Sequence, residues 1–140
     1  MSTVLAVVIG RAGSKGLPGK NARVVAGRPM VCHSIEDALQ AESVDRVVVS
    51  TDGDAIAAAA RGMGVEVVRR PAELAHDTAT VDSAVRHAVE ALDDPAPLIV
   101  VLYANVPVRP PGLIDRAVRL LRDSGADSVQ SYASVGKHHP

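Results

Sequence analysis

Arg11 to Asn21 reads R-A-G-S-K-G-L-P-G-K-N, which packs three glycines, one proline and three cations into eleven residues. No packed helix or strand favours that composition. A loop that lays backbone N–H groups and positive side chains along a row of phosphates does. Arg11 and Lys15 lie four apart across a glycine, so both can reach one phosphate chain. Asn21 offers an amide that can read a base or sugar edge.

Two common phosphate motifs fail on spacing. A P-loop needs G-x-x-x-x-G-K-[ST], but Lys15 stands where the second glycine should follow Gly10, and Lys20 is followed by Asn21. The dinucleotide pattern G-x-G-x-x-G fails because Ala12 takes the second glycine position. A longer, multiply cationic loop remains, which suits a triphosphate better than a pyrophosphate on a helix end. Basic loops are ordinarily solvated surface. This one directly follows a buried strand, where binding loops concentrate.

The elements that must position this loop follow from periodicity. Val4–Ile9 is a continuous aliphatic run, as in a parallel strand buried on both faces. Further strands are expected at Asp45–Ser50, Val65–Val68, Leu98–Leu102 and Ala126–Tyr132, with a short extended piece at Arg23–Val25 before a Gly27-Arg28 turn. Helices are expected at Met30–Gln40, with Pro29 in its first turn, and at Asp54–Met63, capped by Thr51 or Asp52 and closed by Gly64. Two more are expected at Thr80–Leu92 and Leu113–Arg122. Strands alternating with helices imply an α/β fold: a mainly parallel sheet with helices on both faces. Ligands of such sheets sit beyond the carboxyl ends of the strands. The Arg11–Asn21 loop, Thr51-Asp52, Arg69-Arg70 and Tyr103–Arg109 all leave such ends.

The 140 residues suffice for one domain, spanning 1–140. Without Phe or Trp, and with two Tyr, the core must be aliphatic. A net charge of −1 gives no global basic field for nucleic acid. A single cysteine, Cys32, cannot form an internal disulfide, which fits a reducing cytoplasm. The amino terminus lacks the charged region of a signal peptide, and no apolar run approaches the ~20 residues that span a bilayer.

Other candidates read more plainly as structure. Asp52 and Asp54 could ligate a metal, but helix capping is the preferred reading. The five histidines lack ligand spacing, so no metal site is assigned within the chain. Cys32 reads as core filler, and Ser14 has no His–Asp pair to activate it. Arg116, Arg119 and Arg122 read as a solvated helix face.

V-I-G-R-A-G-S-K-G-L-P-G-K-N resembles the opening motif of the acylneuraminate cytidylyltransferases, roughly I-P-A-R-G-G-S-K-G-x-P-x-K-N. The resemblance continues in order through V-D-R-V-V-V-S-T-D, G-V-E-V-V-R-R-P-A-E-L-A-H-D-T-A-T, G-A-D-S-V and the final H-H-P. It implies a three-layer, Rossmann-like nucleotidyltransferase domain that couples CTP to a free acidic, sialic-acid-like 2-keto sugar. The products would be a CMP-sugar and pyrophosphate, with Mg²⁺ as the cofactor. It implies that Arg11, Ser14 and Lys15 contact the triphosphate, with Arg11 and Lys15 also catalytic, and that Asn21 holds the nucleotide. Arg70, Asp77 and Thr78 would lie near the nucleotide. Tyr103, Asn105 and Arg109 would lie on the sugar side.

The chain departs from the family in three places. The family's L-Q-P-T-S-P-L-R stands here as L-Y-A-N-V-P-V-R, Leu102–Arg109, so Tyr103 replaces a glutamine, and Asn105 and Val106 replace two hydroxyl residues. Ile9 and Gly10 replace Pro-Ala. The family also continues past the position of Pro140, and the resemblance places the D-x-D-type Mg²⁺ ligands and a dimer-forming arm in that continuation. A homodimer is therefore expected of the full-length form. The alternative expectation is a shortened nucleotide-binding module without turnover.

Overall fold

Seven consecutive buried residues, Val4–Gly10, form strand β1. The computed structural model describes residues 4–10, 24–25, 28–70, 81–93, 96–103 and 112–125. After β1 come the two-residue strands β2 (Val24–Val25) and β3 (Arg28–Pro29), then helix α1 (Met30–Gln40). Strand β4 (Arg46–Thr51), helix α2 (Asp54–Gly62) and strand β5 (Glu66–Arg69) follow. Helix α3 (Val81–Leu92), strand β6 (Leu98–Tyr103) and helix α4 (Leu113–Ser124) complete the described chain.

Four strands lie in one parallel sheet in the order β5-β4-β1-β6, and β2 and β3 form a separate antiparallel pair. Helices cover both faces of β1, which explains why it lacks the alternation of a half-buried strand. Its side chains divide between two cores. Ala6 and Val8 pack with Val31, Ile35 and Ala38 of α1, Ile56 and Ala60 of α2, and Ile114 of α4. Leu5, Val7 and Ile9 pack on the opposite face with Ala84 and Ala88 of α3. The result is the expected three-layer α/β arrangement.

Local hydrogen bonds tie neighbouring elements together. The Val4 amide donates to the Asp45 carboxylate at 2.8 Å, and the Asp45 amide donates back to the Val4 carbonyl at 2.9 Å. This exchange ties the amino end of β1 to the turn entering β4. Asp115, in the first turn of α4, accepts from the amides of Glu42 and Ser43 and from the Ser43 hydroxyl. The Ser43 hydroxyl, then its amide, hold the Asp115 carboxyl below its ordinary pKa.

Three local expectations need correction. Pro29 does not open α1; it pairs with Val24 in β3, and Arg28, expected in a turn, pairs with Val25 as the first residue of β3. A residue without an N–H fits such a short peripheral strand, and α1 begins one residue later. Neither Thr51 nor Asp52 caps α2, whose N-cap is Gly53 with no side-chain bond. Thr51 is still in the ladder, opposite Gly10 and Arg69, so its hydroxyl serves the turn instead and accepts from the Gly53 amide at 3.0 Å. The strand expected at Ala126–Tyr132 lies outside the described residues.

β6 has β1 on one side and no described strand on the other. It is accordingly less covered than its aliphatic composition suggests, with Leu102 buried and Ile99 and Tyr103 exposed.

Candidate functional site

The parallel register brings the strand ends to one level. Gly10 lies opposite Thr51, Thr51 opposite Arg69, and Ile9 opposite Tyr103. The segments leaving β1, β4, β5 and β6 therefore start from one carboxyl edge. The strand order turns back at β1, since β4 and β5 extend to one side of it and β6 lies on the other. Open parallel sheets place ligands at that position, and the Arg11–Asn21 segment departs there.

Two adjacent arginines after β5 behave differently. Arg69 is solvent-facing; its Nη2 donates to Asp54 Oδ1 at 3.0 Å and to the Asp52 carbonyl at 3.2 Å. Arg70 is turned inward and only 6% exposed. Its amide continues the ladder by donating to the Thr51 carbonyl at 3.0 Å. Its Nη2 reaches past β4 and donates to the Gly10 carbonyl at 2.7 Å. That carbonyl belongs to the last residue of β1, next to Arg11.

On the other side of β1, Tyr103 ends β6 with its side chain exposed. Its carbonyl accepts from the Ser34 hydroxyl at 2.9 Å. Ser34 lies at 0% exposure inside the apolar stripe of α1. Ser34 and the turn-forming role of Thr51 were not apparent as site supports from the sequence. The available signal was a hydroxyl at helical spacing among Val31, Ile35 and Ala38, where an apolar residue belongs.

Of the residues assigned to the site, the structure brings Arg70 and Tyr103 to the same sheet edge. Arg11, Ser14, Lys15, Asn21, Asp77, Thr78, Asn105 and Arg109 lie outside the described residues. The readings of Cys32 and of the α4 arginines hold, whereas Asp54 stands in the first turn of α2 and pairs with Arg69 instead of capping the helix. Cys32 is buried in the α1 core, Asp54 belongs to an ion pair at the start of α2, and Arg116, Arg119 and Arg122 lie on the partly or fully solvated side of α4. Among the described residues no three His, Cys, Asp or Glu side chains group as a metal site. No described helix is long and apolar enough to cross a membrane.

Comparison with known proteins gives the same picture. A family model described as cytidylyltransferase matches residues 5–139. The CMP-N,N'-diacetyllegionaminic acid synthase of Legionella pneumophila is 38% identical over 133 residues, covering 90% of this chain and 56% of that protein. The N-acylneuraminate cytidylyltransferase of Streptococcus agalactiae is 32% identical over 136 residues, covering 96% of this chain and 33% of that protein. Among solved structures, CMP:2-keto-3-deoxy-manno-octonic acid synthetase complexed with CTP superposes with a TM-score of 0.77 at 26% identity. The match covers 89% of this chain and 49% of that one. The chain thus spans between a third and about half the length of these relatives. With a matching profile over nearly all its residues and the same sheet architecture, the chain belongs to the cytidylyltransferase family.

Proposed function

We propose that the chain supplies the nucleotide-binding part of an enzyme that transfers CMP from CTP to a free acidic 2-keto sugar, releasing pyrophosphate. One observation carries the reading. The cationic Arg11–Asn21 segment leaves the central strand at the ligand-binding edge of a sheet that superposes on a synthetase complexed with CTP.

In this reading Arg11, Ser14 and Lys15 bind the triphosphate, and Arg11 and Lys15 stabilise charge as the reaction proceeds. Asn21, Asp77 and Thr78 hold the nucleoside, with Arg70 beside them. Tyr103, Asn105 and Arg109 face the sugar. The sugar hydroxyl attacks the α-phosphorus in line; the new P–O bond forms as the bond to the β-phosphate oxygen breaks, and pyrophosphate leaves. The protein's contribution is positioning together with cations placed where negative charge develops.

Mg²⁺ would neutralise triphosphate charge in such a reaction. The described residues do not fit it: they present no grouped set of carboxylates, and Asp54 is engaged by Arg69. The resemblance puts the ligands outside this chain, so no step here is routed through the ion. A cytoplasmic setting and a homodimer of the full-length form belong to the same proposal.

The test is calorimetric titration with CTP and Mg²⁺, followed by a pyrophosphate-release assay over a panel of 2-keto sugar acids. Saturable CTP binding with pyrophosphate release is expected. Binding without release from any sugar supports a nucleotide-binding module instead, and absence of binding overturns both.

A further inference from the structure

We propose that Tyr103 determines specificity for the acceptor sugar. Its ring sets an apolar surface on the sugar side of the site, which favours a 2-keto sugar acid carrying a methyl-ended substituent over the same acid with a hydroxyl on that methyl. The inference rests on the nucleotidyl-transfer reading and deepens it by naming the class of acceptor.

The place of the ring follows from register. Tyr103 is the last residue of β6 and lies opposite Ile9 of β1. Residues opposite each other in a parallel pair share a face of the sheet, so Tyr103 stands on the face of Ile9, where α3 packs. The cover weakens from one strand to the next. Leu5, Val7 and Ile9 of β1 are buried, whereas Ile99 and Tyr103, opposite Leu5 and Ile9, are exposed, Tyr103 at 47%. The other face of β6 is closed, with Val100 and Leu102 packed into the core that α1 shares. The ring is thus open to solvent at the carboxyl edge, at the junction of β1 and β6 where the strand order turns back. Ligands of open parallel sheets sit at that junction.

Two further observations single out this residue. The strand end that carries the ring is held, because the buried Ser34 hydroxyl donates to the Tyr103 carbonyl at 2.9 Å. A ring on an anchored backbone has two side-chain torsions left, so it offers contact area at small cost in entropy. The core, in turn, makes no use of aromatic packing. The chain has no Phe or Trp and two Tyr, and one of those two is exposed at the ligand edge.

The chemistry of the ring sets the preference. Where the family pattern has glutamine, whose amide both donates and accepts, Tyr103 has one hydroxyl at the tip of an apolar ring. A methyl group laid on the ring face gains by leaving water. A hydroxyl in the same place loses water and meets no partner on the ring face.

The experiment titrates the 140-residue wild type, Tyr103→Phe and Tyr103→Gln with the α,β-methylene analogue of CTP, which cannot release pyrophosphate, in the presence of Mg²⁺. At saturating analogue, each protein is then titrated with two matched pairs of 2-keto sugar acids: N-acetyl against N-glycolyl, and terminal methyl against terminal hydroxymethyl. In the wild type the methyl member of at least one pair should bind about tenfold tighter, the effect of one hydroxyl left unpaired. Tyr103→Phe should keep that ratio, and Tyr103→Gln should bring it close to unity, with analogue affinity at the wild-type value in both. Equal affinity within both pairs in the wild type overturns the proposal, as does a preference that persists in Tyr103→Gln. A loss of analogue affinity in Tyr103→Gln also overturns it, since that marks a disturbed sheet edge rather than a changed acceptor preference. Analogue binding without binding of any sugar acid overturns the proposal and leaves the nucleotide reading in place. If the wild type does not bind the analogue, the nucleotidyl-transfer reading fails and the proposal falls with it.

Discussion

Ser43 and Asp115 tie the turn after α1 to the start of α4 through two bonds: the Ser43 amide and its hydroxyl both donate to Asp115 Oδ1. One residue lies in the turn between α1 and β4, the other in the first turn of α4. A carboxylate held this way is stabilised in its ionised form, and its pKa is lowered with the Ser43 hydroxyl as the largest cause. A folded-state pKa below the unfolded value adds stability above the ordinary carboxylate range. That stability is lost as pH falls through the lowered value. Asp115→Asn should therefore cost about 1 kcal/mol near neutrality, a figure reduced for solvent screening at this partly exposed site. The difference between the two proteins should close in acid, as read by urea unfolding across pH. A gap of constant size from neutrality into acid would show that the carboxylate charge is not what stabilises the joint.

Ser34 anchors the end of β6 by its bond to the Tyr103 carbonyl. Replacing it with alanine leaves that carbonyl without this donor and should cost about 1 kcal/mol. In hydrogen exchange the loss should appear at β6 before it appears at β1, which is flanked by strands on both sides. Chemical denaturation and exchange on Ser34→Ala check both parts.

Ser50 presents the opposite case. It is fully buried in β4, and its hydroxyl oxygen has no hydrogen-bond partner among the described residues. A buried hydroxyl without a partner costs free energy that a methyl group does not. Ser50→Ala should leave stability unchanged or raise it by about 1 kcal/mol, measured as the urea midpoint at unchanged slope. A clear drop would mean that the hydroxyl is satisfied in solution.

Leu5 sits at 0% exposure in β1 and packs with Val7, Val48 and the α3 alanines Ala84 and Ala88. Truncation to alanine removes buried methyl groups where neighbours on three elements limit collapse. A loss of about 2–5 kcal/mol is expected in denaturant unfolding. That is a large fraction of the stability of a domain this size.

Lys15→Ala addresses the proposed phosphate contact. CTP affinity should fall by more than about tenfold, as for the loss of a charged hydrogen bond. The melting temperature should stay at the wild-type value, because the described core clusters are built from other residues. Calorimetry beside a thermal melt separates the two effects, and unaltered CTP affinity would remove Lys15 from the site.

Much of the fold was legible from hydrophobic pattern. The unbroken run Val4–Ile9 can be satisfied only by burial on both faces, and β1 packs against α1, α2 and α4 on one face and α3 on the other. The helical stripes of α1, α3 and α4 were visible for the same reason: apolar residues recur at the helix period and must meet a common surface. The errors fell at boundaries such as Pro29, Arg28 and Thr51, where a residue type suits two local roles and long-range pairing selects one. Of the candidate site, the cationic loop was legible because its composition excludes a packed element, whereas the Ser34 and Thr51 supports depend on partners supplied by the fold.

The amino-acid sequence alone determined the alternating α/β order, the aliphatic core and the family, because periodicity and collinear motifs are local properties of the chain. Strand order and register belong to the tertiary structure, since pairing partners are far apart in sequence and chosen by packing. So does the inward course of Arg70. Its sequence position next to Arg69 does not distinguish two arginines, one exposed beside Asp54 and the other buried against the Gly10 carbonyl. That difference arises only when β5, β4 and β1 lie side by side and bring residues sixty positions apart to one edge.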